Sequence, residues 1–288
     1  MIYTTSLCSA RERIADAVEE LARLGFKNIE LTGRTKFYEG LEADLVRLKE
    51  EYRLNYIIHN YFPPQPESFV VNLASRMPGV EEKTMNLIKQ ACRLAKKFGG
   101  NLYSIHPGFK NNLMPELKEG CFFPETGPVN RKEDFYARLD KIIHDILPRG
   151  FRIAVENLCP RVLNTVYSFI GSPQDIEEFF AYYENNPDVG LLLDLGHFNV
   201  AAKFLDFDKI EALESLFAKY KDRIFEIHIS DNDGHSDSHK VTEVDSWQVE
   251  FLSKYKQFLK QVPVVLEWHH SAGRFAYDRF VDIDRKLA

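Results

Sequence analysis

The feature that most constrains this chain is a repeated unit: a short apolar run closed by one metal-competent side chain, then a helical stripe. The runs 27–30, 56–59, 102–106, 152–156, 190–194, 224–228 and 264–267 end in Glu30, His59, His106, Glu156, Asp194, His228 and Glu267. A strand with its polar residue at the C-terminal end points that residue out of the core and toward a mouth. Seven acidic or imidazole groups at one mouth repel or desolvate one another unless cations hold them. The pattern therefore predicts a metalloenzyme.

Helical stripes alternate with these runs. Ser9 and Glu12 read as a capping box for a helix ending at Leu24, with Gly25 as its stop. Residues 80–98, 134–147, 208–220 and 247–259 carry apolar residues at helical spacing, and Ser172-Pro173 opens a further helix to about Tyr183. Stretches 41–51 and 277–287 complete the set. With residues 2–6 as a first strand there are eight strand–helix units, which predicts a parallel sheet closed as a (β/α)8 TIM barrel in one domain over residues 1–288. An open doubly wound sheet would need a glycine-rich turn after the first strand, and Ser6-Leu7-Cys8-Ser9 is not one. Two long loops, 61–79 and 107–132, read as covers over the active face.

Charge and cysteine usage narrow the function. The 37 Lys and Arg against 43 Asp and Glu give a net charge of −6. That disfavours a general nucleic-acid coat, which depends on basic residues. Cys8, Cys92, Cys121 and Cys159 are widely spaced, form no CxxC pair and read as reduced thiols. No run approaches a membrane span, and the first residues lack a signal-peptide pattern, so the expected location is cytoplasmic.

Glu156, Asp194, His228 and Glu267, on the last four strands, form a carboxylate-rich set with one imidazole. Such a set suits Zn²⁺, Mn²⁺, Co²⁺ or Mg²⁺ and leaves positions open for substrate oxygens. His197 follows Asp194 by three residues and is expected over the same mouth as ligand or hydrogen-bond donor. In the segment 230–239, Asp231 to Gly234 reads as a solvated Asx turn. Asp237 and His239 add a carboxylate and an imidazole, with His235 competing for the same role. Glu30, His235, Phe62 and Phe109 are candidate substrate-binding residues, with Phe123 a further aromatic; a contact to groups behind the metal ligands or a structural place in the barrel interior is equally open for Glu30.

These strand ends resemble the xylose isomerase-like barrels, which include sugar isomerases, epimerases and endonuclease IV. In the isomerase branch, the resemblance implies one divalent metal on Glu156, Asp194, His228 and Glu267. In the endonuclease branch it implies three zinc ions, adding His59, His106, His197, Asp237 and His239. His106-Pro107-Gly108, His59-Asn60-Tyr61 and Val71-Asn72-Leu73 also resemble that branch. The chain departs from it at Asp194-Leu195-Gly196-His197, where Asp-Thr-Cys-His is usual, and in 230–244, where basic residues and a Gly-x-Gly turn are missing.

Two activities follow as expectations. The favoured one is a divalent-metal sugar or sugar phosphate isomerase or epimerase. The metal would polarise a carbonyl, Glu156 and Glu267 would exchange the proton of an enediolate, and His197 would orient a hydroxyl. The alternative is a multi-zinc phosphodiesterase acting on abasic DNA or another phosphate ester, for which His59 and His106 argue and the lost basic residues argue against DNA. A sugar-binding protein without turnover has the same ligand pattern and ranks last.

Overall fold

The computed structural model describes residues 1–114, 129–163 and 166–288. Eight parallel strands form one sheet: β1 Ile2–Thr5, β2 Asn28–Leu31, β3 Asn55–Ile58, β4 Leu102–Ile105, β5 Arg152–Glu156, β6 Val189–Asp194, β7 Ile224–Ile229 and β8 Val264–Leu266. Their spatial order is β3-β2-β1-β8-β7-β6-β5-β4. A parallel bridge between His59 and Ser104 joins the ends, just past β3 and within β4, so the sheet closes as the (β/α)8 barrel expected from the alternation. Asp194 and His228 are register partners, which sets two predicted ligands side by side.

Helices cover the outside. Ile29, Leu31, Val18 and Leu21 are all fully buried in the shared layer between strand and helix. Inside the barrel, Leu102, Ala154, Leu192 and Phe225 form a separate apolar cluster. Ala154 lies two residues before Glu156, so strand alternation puts both on one face, with the apolar plug below and the carboxylate above.

Most helix expectations hold: Pro78–Lys97, Lys132–Asp145, Lys209–Tyr220, Leu41–Tyr52 and Arg274–Leu287 fall on the predicted stripes. Ser172 caps Pro173–Tyr182 by accepting from Asp175 N, and Gly25 ends the first helix at φ 117°. The capping box at Ser9 is corrected. The helix is Ile14–Leu24 with Arg13 at its N-cap, and Ser9 Oγ instead donates to Glu20 Oε2 at 2.6 Å. The predicted stretch 247–259 is two pieces, Trp247–Ser253 and Lys256–Leu259. At the break, Lys254 N and Tyr255 N bond back only three residues, tightening the chain. A helix at Leu195–Leu205 directly follows Asp194, where the sequence pattern predicts none. A two-stranded hairpin, Arg161–Leu163 with Val166–Tyr167, has no counterpart in the sequence reading.

The described parts of the long loops are pinned to each other over the barrel mouth. Asn72 Oδ1 accepts from Phe109 N at 3.1 Å, and its Nδ2 donates to the Phe109 and Asn111 carbonyls. Ser75 and Asn130 both bond Asn112 Oδ1. Gly108, at φ 104°, lets this contact form, since a Cβ there would sit 2.2 Å from Asn72 Oδ1. Phe123 and Cys121 lie outside the described residues.

Candidate metal centre

The nine predicted ligands converge at the C-terminal mouth of the barrel. One ligand atom from each of Glu156, Asp194, His228 and Glu267 lies within 4.8 Å of the others. Glu156 Oε2, Asp194 Oδ2, His228 Nδ1 and Glu267 Oε2 are all buried and make no hydrogen bond among the described residues. Four orphaned polar atoms aimed at one point carry a large desolvation cost unless a cation fills it. The donor set, three carboxylates and an imidazole, fits a divalent ion.

Each of these side chains is aimed by a neighbour. Asp194 is the N-cap of Leu195–Leu205, and its Oδ1 accepts from His197 N at 2.6 Å. Oδ2 is thereby left to face the centre. The backbone of Asp194 is clamped by the Asn157 amide, which donates to Asp194 O and accepts from Asp194 N. His228 presents Nδ1 because its Nε2 faces Glu30 Oε2 at 2.8 Å and Glu226 Oε1 at 3.3 Å. Such outer partners fix imidazole orientation.

A second cluster forms around Glu156. His59 Nε2 is 3.4 Å and His106 Nε2 3.1 Å from its Oε2, while His197 Nδ1 is 3.0 Å from its Oε1. His59 Nδ1 is occupied by Ser104 Oγ at 3.1 Å, so Nε2 is its free nitrogen. A third cluster lies toward solvent. Asp237 Oδ2 is 3.1 Å from His197 Nε2 and 2.8 Å from His239 Nε2. His239 Nδ1 then reaches Glu267 Oε2 at 3.3 Å, linking this outer cluster to the first.

The carboxyls and imidazoles set one another's proton affinities. Burial alone would raise the Glu156 and Glu267 carboxyls, yet adjacent imidazoles hold both well below the carboxylate range. Burial opposes charge on His197 and His228 as well, but Asp194 and Asp237 for the former, and Glu30 and Glu267 for the latter, raise both well above normal. His239 is raised to about 11 against burial by Glu267 and Asp237. Asp194, with less compensation, is pushed up by burial to about 7. Burial likewise raises Glu30 to about 8 and lowers His59 to about 4.

A cavity of about 890 Å³ opens above the clusters. Phe109, Leu158, Phe69, Val70 and Pro64 give it apolar walls, and Tyr61, Arg34 and Lys36 line it as well. Among the described residues Arg34 makes no ion pair or hydrogen bond, whereas Lys36 pairs with Glu12 at 2.7 Å.

Of the predicted substrate-binding residues, Phe109 and His235 line this cavity. His235 is exposed on its wall and belongs to none of the ligand clusters, so it does not compete with His239. The Asx turn beside it is as expected, with Asn232 and Asp233 accepting from backbone nitrogens two and three residues on. For Glu30 the structure favours the place behind the ligands: it is fully buried behind His228 and does not reach the cavity. One assignment is corrected. Phe62 is fully buried in the main core, where its ring packs instead of lining the wall.

Sequence reading missed Glu226, His269 and Cys159. Glu226 is two residues before His228 on the same strand, so alternation already put both on one face. His269, two residues past Glu267, stacks on His239 with ring centroids 3.8 Å apart. Its Nε2 is buried without a partner, and burial together with His239 lowers it to about 3.

Similar solved structures share this architecture. A D-tagatose 3-epimerase-like protein superposes with TM-score 0.71 at 19% identity, over 99% of this chain and 96% of that one. Endonuclease IV from Thermus thermophilus gives 0.63 at 16% identity, over 99% and 98%. An uncharacterized protein of Methanocaldococcus jannaschii is 23% identical over 279 residues, covering 92% of this chain and 88% of its own. Residues 18–283 match the xylose isomerase-like TIM barrel family, and the chain belongs to it.

Proposed function

We propose that this chain is a multi-cation metalloenzyme that cleaves a phosphate ester of a small, sugar-sized molecule. The observation that carries this reading is Glu156. Three imidazoles surround it: His197 Nδ1 is 3.0 Å from Oε1, and His59 and His106 turn Nε2 toward the buried Oε2, unbonded among the described residues, at 3.4 and 3.1 Å. A carboxylate set among three imidazoles would share cations with them, which suits a ligand role for Glu156 better than that of a base for a C–H bond. A one-cation isomerase has no use for His59 and His106, yet both turn their Nε2 atoms to this carboxylate.

Bound divalent cations supply charge neutralisation of phosphate oxygens and acidify water. The chain's own residues do the rest. Glu156, Asp194, His228 and Glu267 form the inner cradle, His59 and His106 its second position, and His197, Asp237 and His239 its outer position. In the reaction, a water oxygen forms the new P–O bond, the ester P–O bond breaks, and the departing oxygen takes the proton. The apolar walls exclude other water and accept the carbon skeleton, and Arg34, which has no ion pair among the described residues, offers a cation to the substrate's charge. The cavity falls within the ~300–1,000 Å³ usual for small-molecule sites. A net charge of −6 argues for a small ester over duplex DNA.

The isomerase or epimerase reading stands second. It is favoured by the inner four-residue set, which suffices for one cation, with Glu267 moving the proton. Elemental analysis of protein purified without chelator separates the two. Two or three ions per chain, loss of one in His106→Ala, and hydrolysis across a panel of sugar phosphates and phosphodiesters support the first. One ion per chain, unchanged in His106→Ala, with interconversion of ketoses or aldoses, overturns it in favour of the second. Glu267→Gln is expected to abolish turnover under either.

A further inference from the structure

Cys159 stands three residues past Glu156, on the segment leaving β5. Cys8 faces Ser271 Oγ at 3.4 Å, and Cys92 is packed in the main core. Cys159 is different, because it lines the cavity wall. Its sulfur lies within 4.8 Å of the ligand atoms of His197 and Asp237. The backbone that carries it is fixed. Ser168 Oγ donates to the Cys159 carbonyl, and Gly171 approaches so closely that a Cβ there would lie 2.6 Å from Pro160 Cα.

His197 is turned to serve the same point. Its Nδ1 is 2.9 Å from the Asn157 carbonyl, which leaves Nε2 for ligation. Asp237 Oδ2 sits between this Nε2 and that of His239.

We propose that Cys159 is a thiolate ligand of the outer cation position, joining His197 and Asp237, with His239 beyond Asp237 Oδ2, in a set selective for zinc. The inference rests on the multi-cation reading above. A soft thiolate prefers zinc to magnesium or manganese. With His239 joining Cys159, His197 and Asp237, the position would be filled by protein ligands alone, as in sites that hold structure. The outer ion would therefore tie the segment 231–239 to the end of β5, while the inner positions keep room for substrate. Ligation would need the thiolate, so the S–H proton would be lost to solvent.

The test is the absorption spectrum of the full chain stripped of metal and reloaded with Co²⁺. Visible d–d bands together with a near-ultraviolet thiolate-to-cobalt charge-transfer band are expected. Cys159→Ser should lose the near-ultraviolet band and about one ion per chain by elemental analysis, while Cys92→Ser keeps both. In the wild-type protein, zinc should also slow alkylation of Cys159 followed by peptide mass spectrometry, a readout that needs no variant to fold. Visible bands without the thiolate band, and alkylation indifferent to zinc, would overturn the role of Cys159 and leave the metal centre intact. No bound cobalt at all would overturn the centre itself.

Discussion

Glu30 Oε2 lies 2.8 Å from His228 Nε2, joining β2 to β7 across 198 positions of sequence. Both groups are fully buried, so neither can turn to water instead. The contact decides which nitrogen His228 offers the centre. Glu30→Ala is expected to weaken the inner cation ~10–100-fold, the usual cost of losing such an outer partner. Glu30→Gln keeps an acceptor and should recover most of that loss. Chelator competition measures both, and an unchanged affinity in Glu30→Ala would show that Glu226 alone orients the ring.

Metal loading should release protons. In the cation-free chain His197 and His228 sit well above the usual imidazole range and His239 reaches about 11, so all three are protonated at neutral pH. A cation needs their lone pairs, and its affinity must therefore fall as the solution becomes more acid. Titration calorimetry in buffers of different ionisation enthalpy reads the proton count directly. Identical heats in all buffers would mean that the imidazoles are not the ligands.

Gly108 is the hinge point of the roof. Its φ of 104° and the 2.2 Å approach of Asn72 Oδ1 leave no space for a methyl group. Gly108→Ala should cost about 1–3 kcal/mol, the range for forcing a side chain into such a backbone state. The loop would carry His106 with it, so cation binding at the His59–His106 position should weaken as well. Denaturant unfolding and metal content test the two parts, and wild-type values in both would refute the packing argument.

Away from the site, Glu42 gives a stability test with a definite sign. Hydrogen bonds from Arg93 and Lys97 lower its carboxyl from 4.5 to about 2. A depressed folded-state value adds stability above the unfolded value, and that stability is lost as pH falls from 4.5 toward 2. Because Arg93 and Lys97 are about half exposed, the contribution is under ~1 kcal/mol. Glu42→Gln should be slightly less stable than wild type at neutral pH, and the gap should close in acid. A gap that persists unchanged in strong acid would mean that charge is not its source.

What the sequence determined by itself was local. Strand-end polarity and helical stripes report on neighbours within a turn or two, so the eight units and their mouth-facing residues were legible from Glu30 to Glu267. Ser172, Gly25 and the Asx turn at Asn232 were legible for the same reason. Tertiary structure decided whatever depends on closing the sheet. Glu30 and Phe62 looked like cavity residues because strand ends and loop aromatics resemble each other in sequence, but packing put one behind His228 and the other in the core. Barrel closure likewise brought Cys159 to His197 and Asp237, and His269 onto His239. Such contacts join residues tens to hundreds of positions apart, and only the fixed geometry of the closed sheet selects them among the pairings that local pattern allows.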